Sequence, residues 1–132
     1  ISGARPKIEA AGLADRCCIM AGDFFQSVPA GGDAYIMKWI IHDWDDERAI
    51  QILKNCRSQM TQDGRLIIVD AVVPEGNEPH FSKFMDLNMM VMAGGRERTA
   101  AEFTRILSAA NFRFLRVIPT DLPTSIVEAK PA

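Results

Sequence analysis

The chain predicts an α/β fold whose sheet ends in an antiparallel hairpin. Apolar runs of strand length alternate with stretches of helical spacing, and two further strand-like runs then follow one another with no helix between them. The run over residues 34–41, Ala-Tyr-Ile-Met-Lys-Trp-Ile-Ile, is apolar on both faces, as strands covered by helices on both sides tend to be. Polar residues, Asp23, His42 and Asp70, stand where three of these runs end. In an open α/β sheet the carboxyl ends of the strands converge on one ligand crevice.

The elements follow in order. Residues 8–13 have the character of a helix end, with Gly12 near the stop. Cys18-Ile19-Met20-Ala21 predicts a short strand that halts at Gly22-Asp23, and residues 24–32 form a loop broken by Pro29 and Gly31-Gly32. After the strand over 34–41, Asp45 or Asp46 can accept from the free amides that start a helix, and Glu47 favours its first turn. Ala49, Ile50, Leu53, Cys56 and Met60 recur at helical spacing before the Asp63-Gly64 turn. A strand is expected over 65–73, then a methionine-rich helix over 81–92. Thr99, with Glu102 three residues on, has the spacing of a capping box for a helix over 100–110. Strands over 112–118 and 125–129 make the hairpin, with Pro119 and Pro123 in its turn.

The 132 residues are one domain's worth of chain or a piece of a larger domain, and 48% hydrophobic with 24% charged residues fits a globular protein with a real core. The net charge is −2 with the signs interspersed, and no basic cluster interleaves with aromatics, so a nucleic-acid partner is not expected. No apolar run approaches ~20 residues, so no membrane span is expected. The first residues have no apolar centre of the signal-peptide kind. Cys17, Cys18 and Cys56 show no CxxC spacing and read as reduced thiols of a cytoplasmic protein, with no metal site.

His42 ends the apolar strand, and an imidazole, with an unperturbed pKa of about 6.5, suits proton removal near neutrality. The alternative is a polar residue closing the core. Lys38 lies inside an apolar strand, where an unpaired ammonium is costly to bury. It either snorkels to solvent at a sheet edge or meets an anionic ligand group. Met85, Met89 and Met92 share a helix face, which either fills core or lines a pocket for an irregular ligand. Trp39 and Trp44 flank His42 in sequence, with core packing the expected role of Trp39.

Gly22-Asp-Phe-Phe25, Met37-Lys-Trp-Ile-Ile-His-Asp-Trp44 and Gly94-Gly-Arg-Glu-Arg-Thr99 resemble the plant caffeic-acid-type and bacterial small-molecule O-methyltransferases. The resemblance runs in order from Ile8 to the C-terminus, and the lysine-to-histidine segment is its most specific part. It implies a Rossmann-like class I methyltransferase sheet, mostly parallel, with S-adenosylmethionine as cofactor. It implies methyl transfer to a hydroxyl of a small aromatic acceptor, with His42 as general base. Glu97 matches the acid that orients the histidine. Asp70 falls where the family usually has glutamate, a second orienting acid one methylene longer. Asp23 and Phe24 match positions that hold the adenine, and Lys38 a residue that contacts the cofactor. Met85, Met89 and Met92, with Trp44, fall on the acceptor side.

Against the family pattern, the 132 residues hold no glycine-rich cofactor turn and no N-terminal dimerisation domain, so they are expected to be a partial catalytic domain that supplies strands three to seven of the order 3-2-1-4-5-7-6. A strand near Ile19 would then lack its neighbours, which predicts either its rearrangement or self-association into a homo-oligomer. Two functional readings follow: an O-methyltransferase, in isolation inactive or very slow, or a non-catalytic methyltransferase-like module serving assembly or weak ligand binding. A nicotinamide-dependent dehydrogenase lacks any dinucleotide fingerprint.

Overall fold

A four-stranded mixed sheet organises the chain, with strands in the spatial order β1 (Ala34–Lys38), β2 (Arg65–Asp70), β6 (Ser125–Pro131), β5 (Phe112–Pro119). The computed structural model describes residues 3–92 and 94–132, the side chain of Met92 excepted. β1 runs parallel to β2, with Ala34 opposite Arg65 and Lys38 opposite Val69. β6 then inserts antiparallel between β2 and β5. In the expected family numbering this order is 4-5-7-6, and the C-terminal hairpin is present. A separate pair of short strands, β3 (Val72–Val73) and β4 (Arg98–Thr99), runs parallel and fastens the loop before β4 to the end of β2.

Two of the helices, α2 and α4, start where their caps are written locally. α1 covers Ala4–Ala10. Asp45 accepts from the Arg48 amide at 2.9 Å and starts α2 (Asp46–Gln59). α3 spans Phe81–Met92. Thr99 and Glu102 exchange both bonds of the capping box at the start of α4 (Ala100–Ala109). α2 buries Ala49, Ile52, Leu53 and Cys56, and α4 buries Phe103, Ile106 and Leu107. These meet Leu66, Ile68, Val127 and Ala129 of the central strands in one hydrophobic core. Burial pushes the Cys56 thiol up to about 11, so this cysteine is core filler and inert at neutral pH.

Three expected elements differ, one of them the strand expected over 65–73, which breaks at Ala71 into β2 and β3 of separate sheets. Residues 18–21 form no strand, and among the described residues β1 has no partner on its outer edge. An extended segment with no neighbour gains no ladder hydrogen bonds to offset its ordering, so apolar composition alone does not make a strand. The third difference is where β1 stops. The apolar run continues to Ile41, but the strand ends at Lys38, because Trp39 adopts a left-handed φ of 54°. Residues Ile41–Asp43 then form a single 3-10 turn. His42 therefore sits on a turn beyond the strand and not on the strand end itself.

Candidate active site

That turn carries the histidine into the interior. His42 is buried, and its Nδ1 lies 2.9 Å from Oε1 of Glu97, a residue whose side chain is fully enclosed. Its Nε2 faces Oδ1 of Asp43 at 3.3 Å, and Asp43 is partly exposed. The Trp39 ring lies against the imidazole, centroids 4.8 Å apart, so Trp39 flanks the site instead of serving only the core. A non-glycine residue at positive φ costs of the order of 1–3 kcal/mol, and such strain collects at functional sites. Here it is the step that turns the chain from β1 toward His42.

Asp70, at the end of β2, completes the group. It is wholly buried, and neither of its carboxyl oxygens has a hydrogen-bond partner among the described residues. The amides of Trp39 and His42 approach this carboxyl without reaching hydrogen-bond geometry. Burial pushes Asp70 up to about 7; the His42 charge opposes that rise and the Glu97 charge adds to it. For His42, burial works against the charged form. The hydrogen bond that His42 donates to Glu97, with the charges of Asp70, Glu97 and Asp43, outweighs it and raises the imidazole above its usual 6.5. His42 and Asp70 each act on the other's protonation.

The loop before β4 encloses the turn from one side. Gly95 packs so closely that a Cβ there would strike the backbone of His42 and Asp43. The Arg96 amide donates to the His42 carbonyl at 2.9 Å. Arg98 is almost wholly buried. Its guanidinium donates to the carbonyls of Ile41 at 3.0 Å and Trp44 at 2.9 Å, and binds Asp46 Oδ1 at 2.8 and 3.0 Å. It thus bridges both ends of the His42 turn to the first residue of α2. In sequence no local signal marks Arg98 as interior.

The second group of expected residues lies on the loop before β1. Asp23 is exposed, and its Oδ1 accepts from the Phe25 amide at 2.9 Å, forming the turn that presents the two phenylalanines. Asn55 donates to the Phe24 carbonyl and Gln51 to the Phe25 carbonyl, each at 2.8 Å, so consecutive turns of α2 hold this loop. Phe24 and Lys38 line one cavity of about 400 Å³, walled otherwise by apolar side chains including Val28, Met37 and Ile40. Lys38 is exposed, at the end of β1, whose outer edge has no partner strand among the described residues. The Trp44 ring meets Phe25 edge-on at 4.8 Å and Phe24 at 6.3 Å, which puts it beside this loop. Arg48 lies 5.3 Å over Trp44.

On α3, Met89 is buried and Met85 half-buried, while the Met92 side chain lies outside the described residues. Among the described residues no group of histidine, cysteine and acid has the spacing of a metal site, and no helix is long and apolar enough to cross a membrane.

Comparison with known proteins agrees with this arrangement. Residues 1–113 match the O-methyltransferase domain family. The chain is 51% identical over 125 residues to a phenazine O-methyltransferase of Lysobacter antibioticus, covering 95% of this chain and 37% of that enzyme. It superposes on the crystal structure of LaPhzM with a TM-score of 0.94 and 50% identity, over 99% of this chain and 40% of that one. On NcsB1, an O-methyltransferase of neocarzinostatin biosynthesis solved with S-adenosyl-L-homocysteine and 1,4-dihydroxy-2-naphthoic acid, the TM-score is 0.89 at 31% identity, over 99% of this chain and 39% of that one. The chain thus spans about two fifths of the length of the relatives it matches. It is a class I methyltransferase fold, and it belongs to the O-methyltransferase domain family.

Proposed function

We propose that this chain carries the base and part of the cofactor site of an S-adenosylmethionine-dependent O-methyltransferase acting on a hydroxyl of a small aromatic acceptor. The observation that carries the reading is the buried 2.9 Å contact between His42 Nδ1 and Glu97. With its proton held on Nδ1 toward Glu97, the neutral imidazole keeps the lone pair on Nε2 free to accept. A phenol, with pKa near 10, is mostly protonated at neutral pH, so attack through its oxygen needs a base of moderate strength.

The residues on the cofactor side fit the group. Phe24 offers an aromatic wall for an adenine ring, the Asp23 carboxylate keeps one oxygen beyond its turn bond, and Lys38 supplies a cation at the rim of the same cavity. When bound, S-adenosylmethionine supplies a methyl group already activated on a sulfonium. The chain's own work is then alignment and proton removal. His42 takes the hydroxyl proton at Nε2 as the acceptor oxygen attacks. Glu97 and Asp70 support the imidazolium that results, and Asp43, partly exposed, yields its place near Nε2 to the acceptor. Met85 and Met89 offer a soft apolar surface suited to aromatic rings. The names of the relatives agree in kind, since they act on a phenazine or carry a hydroxynaphthoic acid.

Titration of the chain with S-adenosylhomocysteine, followed by the fluorescence of Trp39 and Trp44, tests the cofactor side. Saturable binding that is lost in Asp23→Ala is the expected result. No binding at millimolar ligand would leave the 132 residues as a non-catalytic module in isolation.

A further inference from the structure

The carboxylate of Glu97 is wholly enclosed, yet it makes one hydrogen bond only, to His42; its other oxygen has no partner among the described residues. No second side chain therefore fixes its orientation. Its aim is inherited from its own backbone, and the preceding backbone is tied to the His42 turn through Gly95 and the Arg96 amide. At Glu97 itself the amide donates to a different element, Oδ1 of Asp86 on α3, at 2.9 Å. A bond from an amide to a carboxylate is among the stronger kinds, and this one joins two segments 11 residues apart. Asp86 follows Met85 directly and precedes Met89 by three positions, so it shares a helical turn with residues assigned to the acceptor.

We propose that Asp86 is a positioning residue for His42, acting through the Glu97 amide and coupling the methionine helix to the base. This rests on the reading of His42 and Glu97 as base and orienting acid. The groups that act on the imidazole directly are Glu97 from the loop before β4, Asp70 from β2 and Asp43 from its own turn. Asp86 is not one of them, and its influence passes through Glu97. Contact of an acceptor with α3 would thereby tighten or slacken the base, a link that neither Asp70 nor Asp43 supplies.

The test needs no turnover. The His42 imidazole is titrated by NMR in the 132-residue chain and in Glu97→Gln, Asp86→Ala, Asp86→Asn and Asp86→Glu. Glu97→Gln is expected to lower the His42 pKa; if it does not, the base–acid reading itself fails. Given that fall, Asp86→Ala and Asp86→Glu are expected to lower it as well, because one removes the acceptor and the other displaces it by a methylene. Asp86→Asn keeps an oxygen in place and is expected to restore most of the wild-type value. Should Asp86→Ala not fold, the Asn and Glu pair still decides, since one keeps the geometry without the charge and the other the charge without the geometry. A His42 pKa unmoved in Asp86→Glu, or lowered as far in Asp86→Asn as in Asp86→Glu, overturns the proposal.

Discussion

The two halves of the proposed site are built differently. The base half is interior: His42 lies on a turn spanned by Arg98, packed by Gly95, faced by Trp39 and bonded to Glu97, with Asp70 beneath it. The cofactor half is peripheral: Asp23 and Lys38 are exposed, and the Phe24–Phe25 loop is held by side chains of one helix and by the Tyr35 hydroxyl on Pro29. The difference suits the roles proposed for each half. A base must keep one tautomer and one direction, which needs bonds from several elements. A cofactor slot must admit a large ligand, which needs an accessible wall.

The comparison breaks most visibly at the base. In a methyl-transfer assay, His42→Ala is expected to lower turnover by ~10²–10⁴-fold, the usual contribution of a positioned base, while S-adenosylhomocysteine affinity stays nearly constant. A parallel loss of affinity would mean that the halves are not separate.

The buried acids give the next largest effect. The folded state keeps the Asp70 proton to about pH 7, whereas an unfolded carboxyl releases it near 3.8. Between those values unfolding releases a proton, so stability falls as pH rises, by at most roughly 4 kcal/mol for this one group. His42 adds in the same sense: its raised pKa contributes stability below 6.5 that is lost as pH climbs through the folded value. Asp70→Asn is expected to flatten the stability curve from 3.8 to about 7 and, because the Asp70 charge helps raise His42, to shrink the His42 slope as well, as denaturant midpoints at successive pH values will show. An unchanged slope would mean that Asp70 is ionised in the folded protein.

Arg98 ranks third. Arg98→Met keeps bulk but leaves two interior carbonyls and Asp46 without their donor, at about 3 kcal/mol of stability. Because those carbonyls bracket His42, the pH dependence of turnover is expected to shift too. Lost stability with an unmoved pH profile would reduce Arg98 to a structural strut.

Legibility in the sequence divides along local and long-range lines. The starts of α2 and α4 were readable because Asp45, Thr99 and Glu102 act within one turn of themselves. The end of β1 was not readable, since nothing in Trp39 favours positive φ; its amide bond to Val69 and its ring against His42 hold it there, and both are tertiary. The segment near Ile19 has strand composition but no partner strand among the described residues, and pairing decides. The α/β pattern predicts convergence of Asp23, His42 and Asp70; His42 and Asp70 meet, whereas Asp23, with no strand before it, stays on the exposed loop before β1. The bond from His42 to Glu97 spans 55 residues and came from the family resemblance, not from spacing. Arg98, Asp86 and Asn55 were missed because a buried arginine, a half-buried aspartate and an asparagine on a helix look in sequence like ordinary surface.

Asn55 offers the finest test of the contrast, because it touches the cofactor half alone. Its side chain makes one described bond, to the Phe24 carbonyl. A single neutral hydrogen bond is worth about 1 kcal/mol, or roughly fivefold in an equilibrium. Asn55→Ala is therefore expected to weaken S-adenosylhomocysteine binding by about fivefold, with the His42 titration unmoved. Lys54→Ala, one position earlier on the exposed face of α2, serves as the control and is expected to leave affinity in place. If Asn55→Ala bound as tightly as the parent chain, Gln51, Tyr35 and the Asp23 turn would suffice to hold the phenylalanines. If it moved the His42 titration, α2 would be transmitting strain from the loop to the base, and the two halves would have to be treated as one.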